Sequence, residues 1–300
     1  MNQTLTPERL AGFFDHTLLK PYATKKDFEN FCNNCKQYRF AMAAVNPSAV
    51  QFCKQYLNDT TVHVGAAIGF PLGQNTLETK RFETLDAIQN GADEIDYVIN
   101  ITQLKEKNYT YIADEMHAVV DLCQENKKIS KVIFETCYLS DAEKRELCRI
   151  VRDVRPDYVK TSTGFGSGGA TLEDVALLLE CVGDIAKVKA SGGIRTLDFV
   201  LQLIDMGVSR IGSSNSVNLV EEYRSSLHKL FLHTPDRVAL SSTLNARERF
   251  HRNFSIFLRF SCGCINSRHA RYRTITPCRR LISSGSSACC KGAHMNHLPH

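Results

Sequence analysis

The sequence has no tryptophan and only eight prolines in 300 residues. No apolar run approaches the ~18–20 residues needed to span a bilayer, so a membrane partner is not expected. The opening segment MNQTLTPERL lacks a basic stretch followed by an apolar one, which argues against a secretory signal and for a cytoplasmic protein. No Gly-x-Gly-x-x-Gly follows the first strand-like segment, so the pattern of a dinucleotide-binding open sheet is missing. Histidines and carboxylates at metal-ligand spacing are also missing from the first 230 residues, and no metal or other cofactor is expected.

What is present is ordinary in bulk and uneven in distribution. Apolar residues make up 43% and charged residues 23%, proportions of a folded soluble protein. Residues 1–230 hold 26 basic against 30 acidic side chains, and residues 231–300 hold eleven basic against two acidic, Asp236 and Glu248. The division predicts one domain over 1–230 and a basic, Cys/Arg/His-rich, irregular extension over 231–300. The extension contains Cys262, Cys264, Cys278, the pair Cys289-Cys290, and His294, His297 and His300. These spacings match no standard closed zinc site. Ten arginines there are the sole feature that would attract nucleic acid, and the acidic body gives no reason to expect it. Of the twelve cysteines, seven lie in the body (Cys32, Cys35, Cys53, Cys123, Cys137, Cys148, Cys181), mostly at apolar positions where a free thiol packs as a small hydrophobe.

Strand and helix patterns alternate eight times through the body. Strands are predicted over 13–18, 40–45, 62–70, 93–99, 131–137, 157–162, 185–190 and 209–213. Helix starts follow at Thr24, Asn46-Pro47, Thr76, Ser140-x-x-Glu143, Thr171-x-x-Asp174 and Thr196, and helix stops at Asn90-Gly91 and Gly207. Ile112, Met116, Val119 and Cys123 mark one face of a further helix, and 216–230 is the last. Eight βα units in about 220 residues predict an α/β fold of the (β/α)8 TIM-barrel class.

In a barrel, alternate strand residues face the lumen. Taking Lys160 as inward puts Lys189, Asp96, Glu94, Asp15 and Thr17 on lumen positions, with Glu135 on the fifth strand, near the end where barrels keep their active sites. Lys160 and Lys189 fall on adjacent strands ~4.8 Å apart. Two ammonium groups so close favour loss of a proton from one, and a neutral lysine amine attacks a carbonyl to form a Schiff base. Asp96 and water are then available to carry protons. Glycine-rich segments follow strands six (163–169), seven (Ser191-Gly192-Gly193) and eight (Gly212-Ser213-Ser214), a combination that suits a phosphate at helix N-termini.

Six segments carry a resemblance. They are DHTLLKP (15–21), GFPLG (69–73), ADEID (92–96), VKTSTGF (159–165), VKASGGIR (188–195) and RIGSS (210–214). In this order and spacing, over about residues 5–228, the chain resembles the deoxyribose-phosphate aldolase family. The resemblance implies a metal-free class I aldolase, a lyase that cleaves 2-deoxy-D-ribose 5-phosphate reversibly to acetaldehyde and D-glyceraldehyde 3-phosphate. It implies Lys160 as the Schiff-base lysine, Lys189 as the second lysine and Asp96 as the acid/base aspartate. It places the substrate phosphate on Gly164, Gly192, Gly193 and Ser214, with Gly212 in the same rim and Asp15, Thr17 and Thr161 as supporting polar residues. Ala44 stands where many members carry a cysteine, a thiol the aldol chemistry does not need. Some members end in a tyrosine that reaches the active site, whereas this chain ends in His300; whether Tyr223 or Tyr272 substitutes is left open. The alternatives are an aldolase for another phosphorylated sugar and a catalytically inert phosphate-sugar binder recruited to RNA by the extension. The sequence leaves a homo-oligomer open.

Overall fold

The computed structural model describes residues 5–232, and the features of 231–300 other than the end of the last helix lie outside the described residues. Eight parallel strands close into a barrel in sequence order. They are β1 (Phe14–Leu18), β2 (Met42–Val45), β3 (His63–Ile68), β4 (Glu94–Val98), β5 (Ile129–Ile133), β6 (Tyr158–Lys160), β7 (Lys187–Ser191) and β8 (Arg210–Ser213). The helices are α1 (Pro7–Ala11), α2 (Lys25–Tyr38), α3 (Val50–Tyr56), α4 (Leu77–Gln89), α5 (Ile101–Lys105), α6 (Tyr109–Glu125), α7 (Asp141–Val154), α8 (Leu172–Val182), α9 (Leu197–Met206) and α10 (Ser216–Leu232). This is the (β/α)8 barrel that the strand–helix alternation predicts.

Local chemistry sets the helix ends. The Thr24 and Ser140 hydroxyls accept from the N3 backbone N–H, and Asp27 and Glu143 reach back, so α2 and α7 open on full capping boxes. Thr76 and Thr171 cap α4 and α8 in the same sense. Thr196 precedes α9 without a side-chain cap bond, and Gly207 ends that helix in the left-handed region. After Asn46-Pro47 the chain makes a 3-10 turn, Pro47–Ala49, before α3 begins.

The core lies between sheet and helices. Outward strand residues Val45, Val64, Ile68, Ile95, Tyr97, Val132, Val159, Val188 and Ile211 join one apolar cluster with the inner faces of the helices. Each such side chain contributes roughly 1.5–3 kcal/mol on burial. Opposite them Asp15, Glu94, Asp96, Lys131, Lys160 and Lys189 are all buried in the lumen. The barrel is thus apolar outside and ionic within.

Two departures from the sequence pattern bear on the site. The fifth strand ends at Ile133 rather than at residue 137, because Glu135 takes a left-handed backbone (φ 55°) and the chain leaves the sheet in a 3-10 turn. The short helix α1, capped by Thr6, has no counterpart in the alternation; it packs against α10, and the Tyr223 hydroxyl donates to the Leu5 carbonyl at 2.9 Å.

Candidate active site

The register brings the charged residues together. Lys160 pairs with Lys189 across β6–β7, Asp96 with Lys131 across β4–β5, and Asp15 with Gly212 across β1–β8. Asp96 is the hub. Its Oδ2 accepts from Lys160 Nζ at 2.8 Å and Lys189 Nζ at 2.6 Å, and its Oδ1 accepts from Lys131 Nζ at 2.8 Å. Below it, Arg210 donates to Asp15 at 2.6 Å and to both oxygens of Glu94 at 2.7 and 2.8 Å. Lys131 also pairs with Glu94, and Lys189 with Asp15 at 2.5 Å. His63 Nδ1 meets Glu94 Oε1 at 2.7 Å from the N-terminal end of the barrel.

Charge balance decides the protonation of this cluster. Four basic side chains (Lys131, Lys160, Lys189, Arg210) pair with three carboxylates (Asp15, Glu94, Asp96). A buried charge without a partner is costly, so one base is pressed to give up its proton. Burial would raise the Asp96 carboxyl, yet the three lysines around it hold it well below the usual carboxylate range. Burial would lower Lys131, but Asp96, Glu94 and Asp15 outweigh it and push the group up. Lys160 goes the other way, down to about 8: burial is the leading cause, Asp96 opposes it, and the Lys189 charge adds to it. The lysine repulsion read from strand adjacency therefore acts second to desolvation.

The cluster forms the base of a cavity of about 990 Å³ whose lining includes Thr17, Asp96, Lys160, Lys189 and the rim glycines. The rim comprises Gly164 after β6, Gly192 and Gly193 after β7, and Gly212 and Ser214 at the end of β8. Gly164, Gly192 and Gly193 have φ of +88°, +86° and +71°, a region where a side chain would be strained. A Cβ on Gly212 would come within 2.8 Å of the Ser191 Cβ. Gly193 leads to α9 and Ser214 to α10, so two helix N-termini close to these glycines point positive ends toward the rim.

Of the sequence-predicted residues, Lys160, Lys189, Asp96, Thr17, Gly164, Gly192, Gly193, Gly212 and Ser214 border this cavity. Asp15 and Thr161 do not. Asp15 is fully buried below, held by Lys189 and Arg210. Thr161 points away from the lumen, where its hydroxyl donates to the Ser191 carbonyl at 3.0 Å and accepts from the Ser191 N–H at 3.1 Å. Asp15 thus touches Lys189, and Thr161 touches the backbone of β7 at Ser191. Tyr223 packs at the α1 side, and Tyr272 lies outside the described residues. Ala44 lines the cavity wall.

A family model described as DeoC/LacD family aldolase matches residues 10–213. The chain belongs to this aldolase family. A Bacteroides thetaiotaomicron protein named deoxyribose-phosphate aldolase is 50% identical over 220 residues, 73% of this chain and 92% of its own length. A Thermococcus gammatolerans protein of the same name is 46% identical over 219 residues, 72% of this chain and 97% of its own. A solved Aeropyrum pernix deoxyribose phosphate aldolase, described as a unique tetrameric structure, aligns with a TM-score of 0.69 at 31% identity, covering 74% of this chain and 93% of that one.

Within this family member, Lys131 and Arg210 were missed as site residues. Their signal was available: each sits two residues before a lumen position, Ile133 or Gly212, and is the one charged residue of its strand. Glu135 is a third. Its carboxylate accepts from the Thr163 N–H at 3.2 Å and from the Thr163 hydroxyl, so it holds the start of the 163–169 loop. Burial raises its pKa. Among the described residues, no group of three or more His, Cys, Asp and Glu is arranged to hold a metal ion, and no helix is long and apolar enough to cross a membrane.

Proposed function

We propose that this aldolase is a deoxyribose-phosphate aldolase, which cleaves 2-deoxy-D-ribose 5-phosphate reversibly through a Schiff base on Lys160. The observation that carries the reading is a buried lysine, lowered to about 8, hydrogen-bonded to Asp96 and paired in register with Lys189 beneath a glycine rim. The names of the relatives supply the substrate.

In the open-chain sugar, the neutral Lys160 amine attacks C1, and loss of water leaves a protonated imine. A base removes the C3 hydroxyl proton, the C2–C3 bond breaks, and its electrons pass to C2 and the iminium nitrogen. Glyceraldehyde 3-phosphate departs as the aldehyde. The remaining enamine takes a proton at C2, and water hydrolyses the resulting imine to acetaldehyde and free Lys160. Asp96, hydrogen-bonded to both lysines, and Lys189 are the groups placed to move these protons, a role worth typically 10²–10⁴-fold in rate. The rim of Gly164, Gly192, Gly193, Gly212 and Ser214 receives the phosphate through backbone N–H groups and helix N-termini. Thr17, whose hydroxyl donates to the Asp15 carbonyl at 2.9 Å, presents its oxygen to the sugar hydroxyls. The iminium serves as electron sink, so a chelator should leave turnover unchanged.

We also read the chain as a barrel domain over 1–230 with an extension over 231–300; the support is the change in charge there. A cytoplasmic location fits an enzyme acting on small phosphorylated metabolites. Self-association is compatible with the assembly described for the Aeropyrum pernix relative.

The test is borohydride reduction with acetaldehyde, followed by peptide mapping, beside an assay for glyceraldehyde 3-phosphate release. A secondary amine on Lys160 together with turnover supports the proposal. An adduct on Lys189 alone, or turnover that borohydride does not inhibit, contradicts it.

A further inference from the structure

A second buried ion pair lies outside the lumen. Lys80 of α4 and Glu115 of α6 are both fully buried, with Nζ and Oε1 2.6 Å apart. The pair is saturated. Lys80 also donates to the Gly73 and Val98 carbonyls at 2.8 Å each, and Glu115 Oε2 accepts from the Asn100 N–H at 2.8 Å. Glu83, one turn along α4, accepts from the Gly69 N–H at 2.8 Å. These bonds converge on two places: both ends of the turn Gly69–Gly73, and the end of β4 just beyond Asp96.

The turn has little freedom of its own to spare. Gly69 and Gly73 have φ of +59° and +71°, and a Cβ on Gly73 would come within 2.1 Å of the Ile99 carbonyl oxygen. Gly73 N–H donates to the Gly69 carbonyl at 2.7 Å, closing the loop. The residue it displays is Phe70. The Phe70 ring centroid is 5.8 Å from Lys160 Nζ and 5.5 Å from the Phe165 ring, which stands edge-on at 87°. Hydrophobic side chains of similar volume often hold a fold as well as a buried ion pair does. Fold stability alone thus gives no reason for charge at this place, whereas fixing two carbonyls and two N–H groups at once does.

We infer that Lys80 and Glu115, helped by Glu83, are positioning residues for the aldol reaction: they clamp the Gly69–Gly73 turn so that Phe70 walls the Lys160 amine off from water. The inference rests on the Schiff-base reading of Lys160. Its consequence runs through desolvation, the leading cause that holds Lys160 low. The groups facing Lys160 are Asp96 from β4, Lys131 from β5, Glu135 from the turn after β5 and Lys189 from β7. None of these belongs to the clamp. Facing Lys80 are Glu115 and Glu83, and Tyr97 and Tyr111 lie near Glu115.

The test is the double variant Lys80→Met/Glu115→Met, with a thermal melt to establish folding and the pH dependence of borohydride trapping at Lys160 as readout. A loosened turn lets water reach the amine, so the trapping midpoint should rise by about one pH unit. That leaves about tenfold less neutral amine at pH 7, and kcat should fall with it. The KM should change little, because the phosphate rim is untouched. Phe70→Leu, which leaves the ion pair in place, should shift the midpoint the same way, and adding it to the double variant should add little, as expected for residues acting through one contact. Should the double variant not fold, Glu83→Ala removes the Gly69 anchor alone and should give a smaller shift of the same sign. A folded double variant, or Glu83→Ala, whose trapping profile and kcat overlay wild type would overturn the inference. Wild type that traps no acetaldehyde on Lys160 would instead overturn the reading on which it rests.

Discussion

The lumen has two ionic layers, and they differ in balance. In the lower layer Arg210 bridges Asp15 and Glu94, and Lys131 pairs with Glu94 and Asp96, so each cation meets more than one carboxylate. In the upper layer Asp96 receives Lys131, Lys160 and Lys189; Lys131 and Lys189 each reach a second carboxylate, Glu94 and Asp15, whereas Lys160 pairs with Asp96 alone among the described residues. The residue types are nearly the same in both layers. Counter-charge, together with burial, eases the loss of a proton from one lysine and holds another as a cation. Lys131 is pushed up and Lys160 down to about 8, although they lie on neighbouring strands.

Removing the amine itself should have the largest effect. Lys160→Ala is expected to take aldol cleavage to assay background and to abolish borohydride inhibition, since it removes the amine of the proposed Schiff base. The same melting curve as wild type, within ~1 kcal/mol, would show that the loss is chemical; a buried cation is removed from the side with the excess.

Next comes the neighbour. Lys189→Leu makes the numbers equal, so Lys160 keeps its proton and its pKa climbs toward the ~10.4 of a free lysine. Each unit of climb removes about tenfold of the neutral amine at pH 7. Lys189→Arg retains the charge but cannot pass a proton. Its trapping profile should stay closer to wild type while turnover remains poor. Matching profiles for the leucine variant and wild type would confine Lys189 to proton transfer or substrate contact.

The lower layer sharpens the contrast because its residues allow both signs. Glu94→Gln removes a negative charge and should shift Lys160 trapping to lower pH; Arg210→Met removes a positive one and should shift it to higher pH. Each breaks a buried network and should cost about 3–5 kcal/mol in a denaturation experiment. Shifts of the same sign in the two variants would show that loosening of the barrel, rather than charge, moves Lys160.

Thr161→Val should give the smallest effect. It leaves the Ser191 N–H without the Thr161 hydroxyl, at about 1–3 kcal/mol, while the Ser191 carbonyl keeps the Ala170 N–H at 3.1 Å. The trapping midpoint should not move, since Thr161 lies outside the cavity.

Much of this was legible in the sequence. The barrel followed from eight alternations and from caps such as Thr24/Asp27 and Ser140/Glu143, because both signals are local. Period-two alternation placed Lys160, Lys189 and Asp96 on one inner surface, and their register bears that placement out. Less could be read where the outcome depends on distant partners. Glu135 looked like a strand residue, yet its carboxylate is drawn to Thr163, 28 residues later, and its backbone turns left-handed. The resemblance offered Thr161 as a supporting polar residue, whereas alternation turns it outward, where it meets the Ser191 backbone. The Lys80–Glu115 pair joins two helices 35 residues apart, and neither helix pattern marks it. The order of causes at Lys160 was also hidden, since strand adjacency reveals the neighbouring charge but not the depth of burial.

The central claim is that burial and an uncompensated positive charge together hold Lys160 near 8 in the free enzyme. The most direct measurement is the rate of acetaldehyde trapping at Lys160 by borohydride, mapped by mass spectrometry from pH 6 to 11. The account predicts that trapping rises about tenfold per unit at low pH and levels off with a midpoint near 8. A midpoint at ~10.4, the value of an unperturbed lysine, would contradict it.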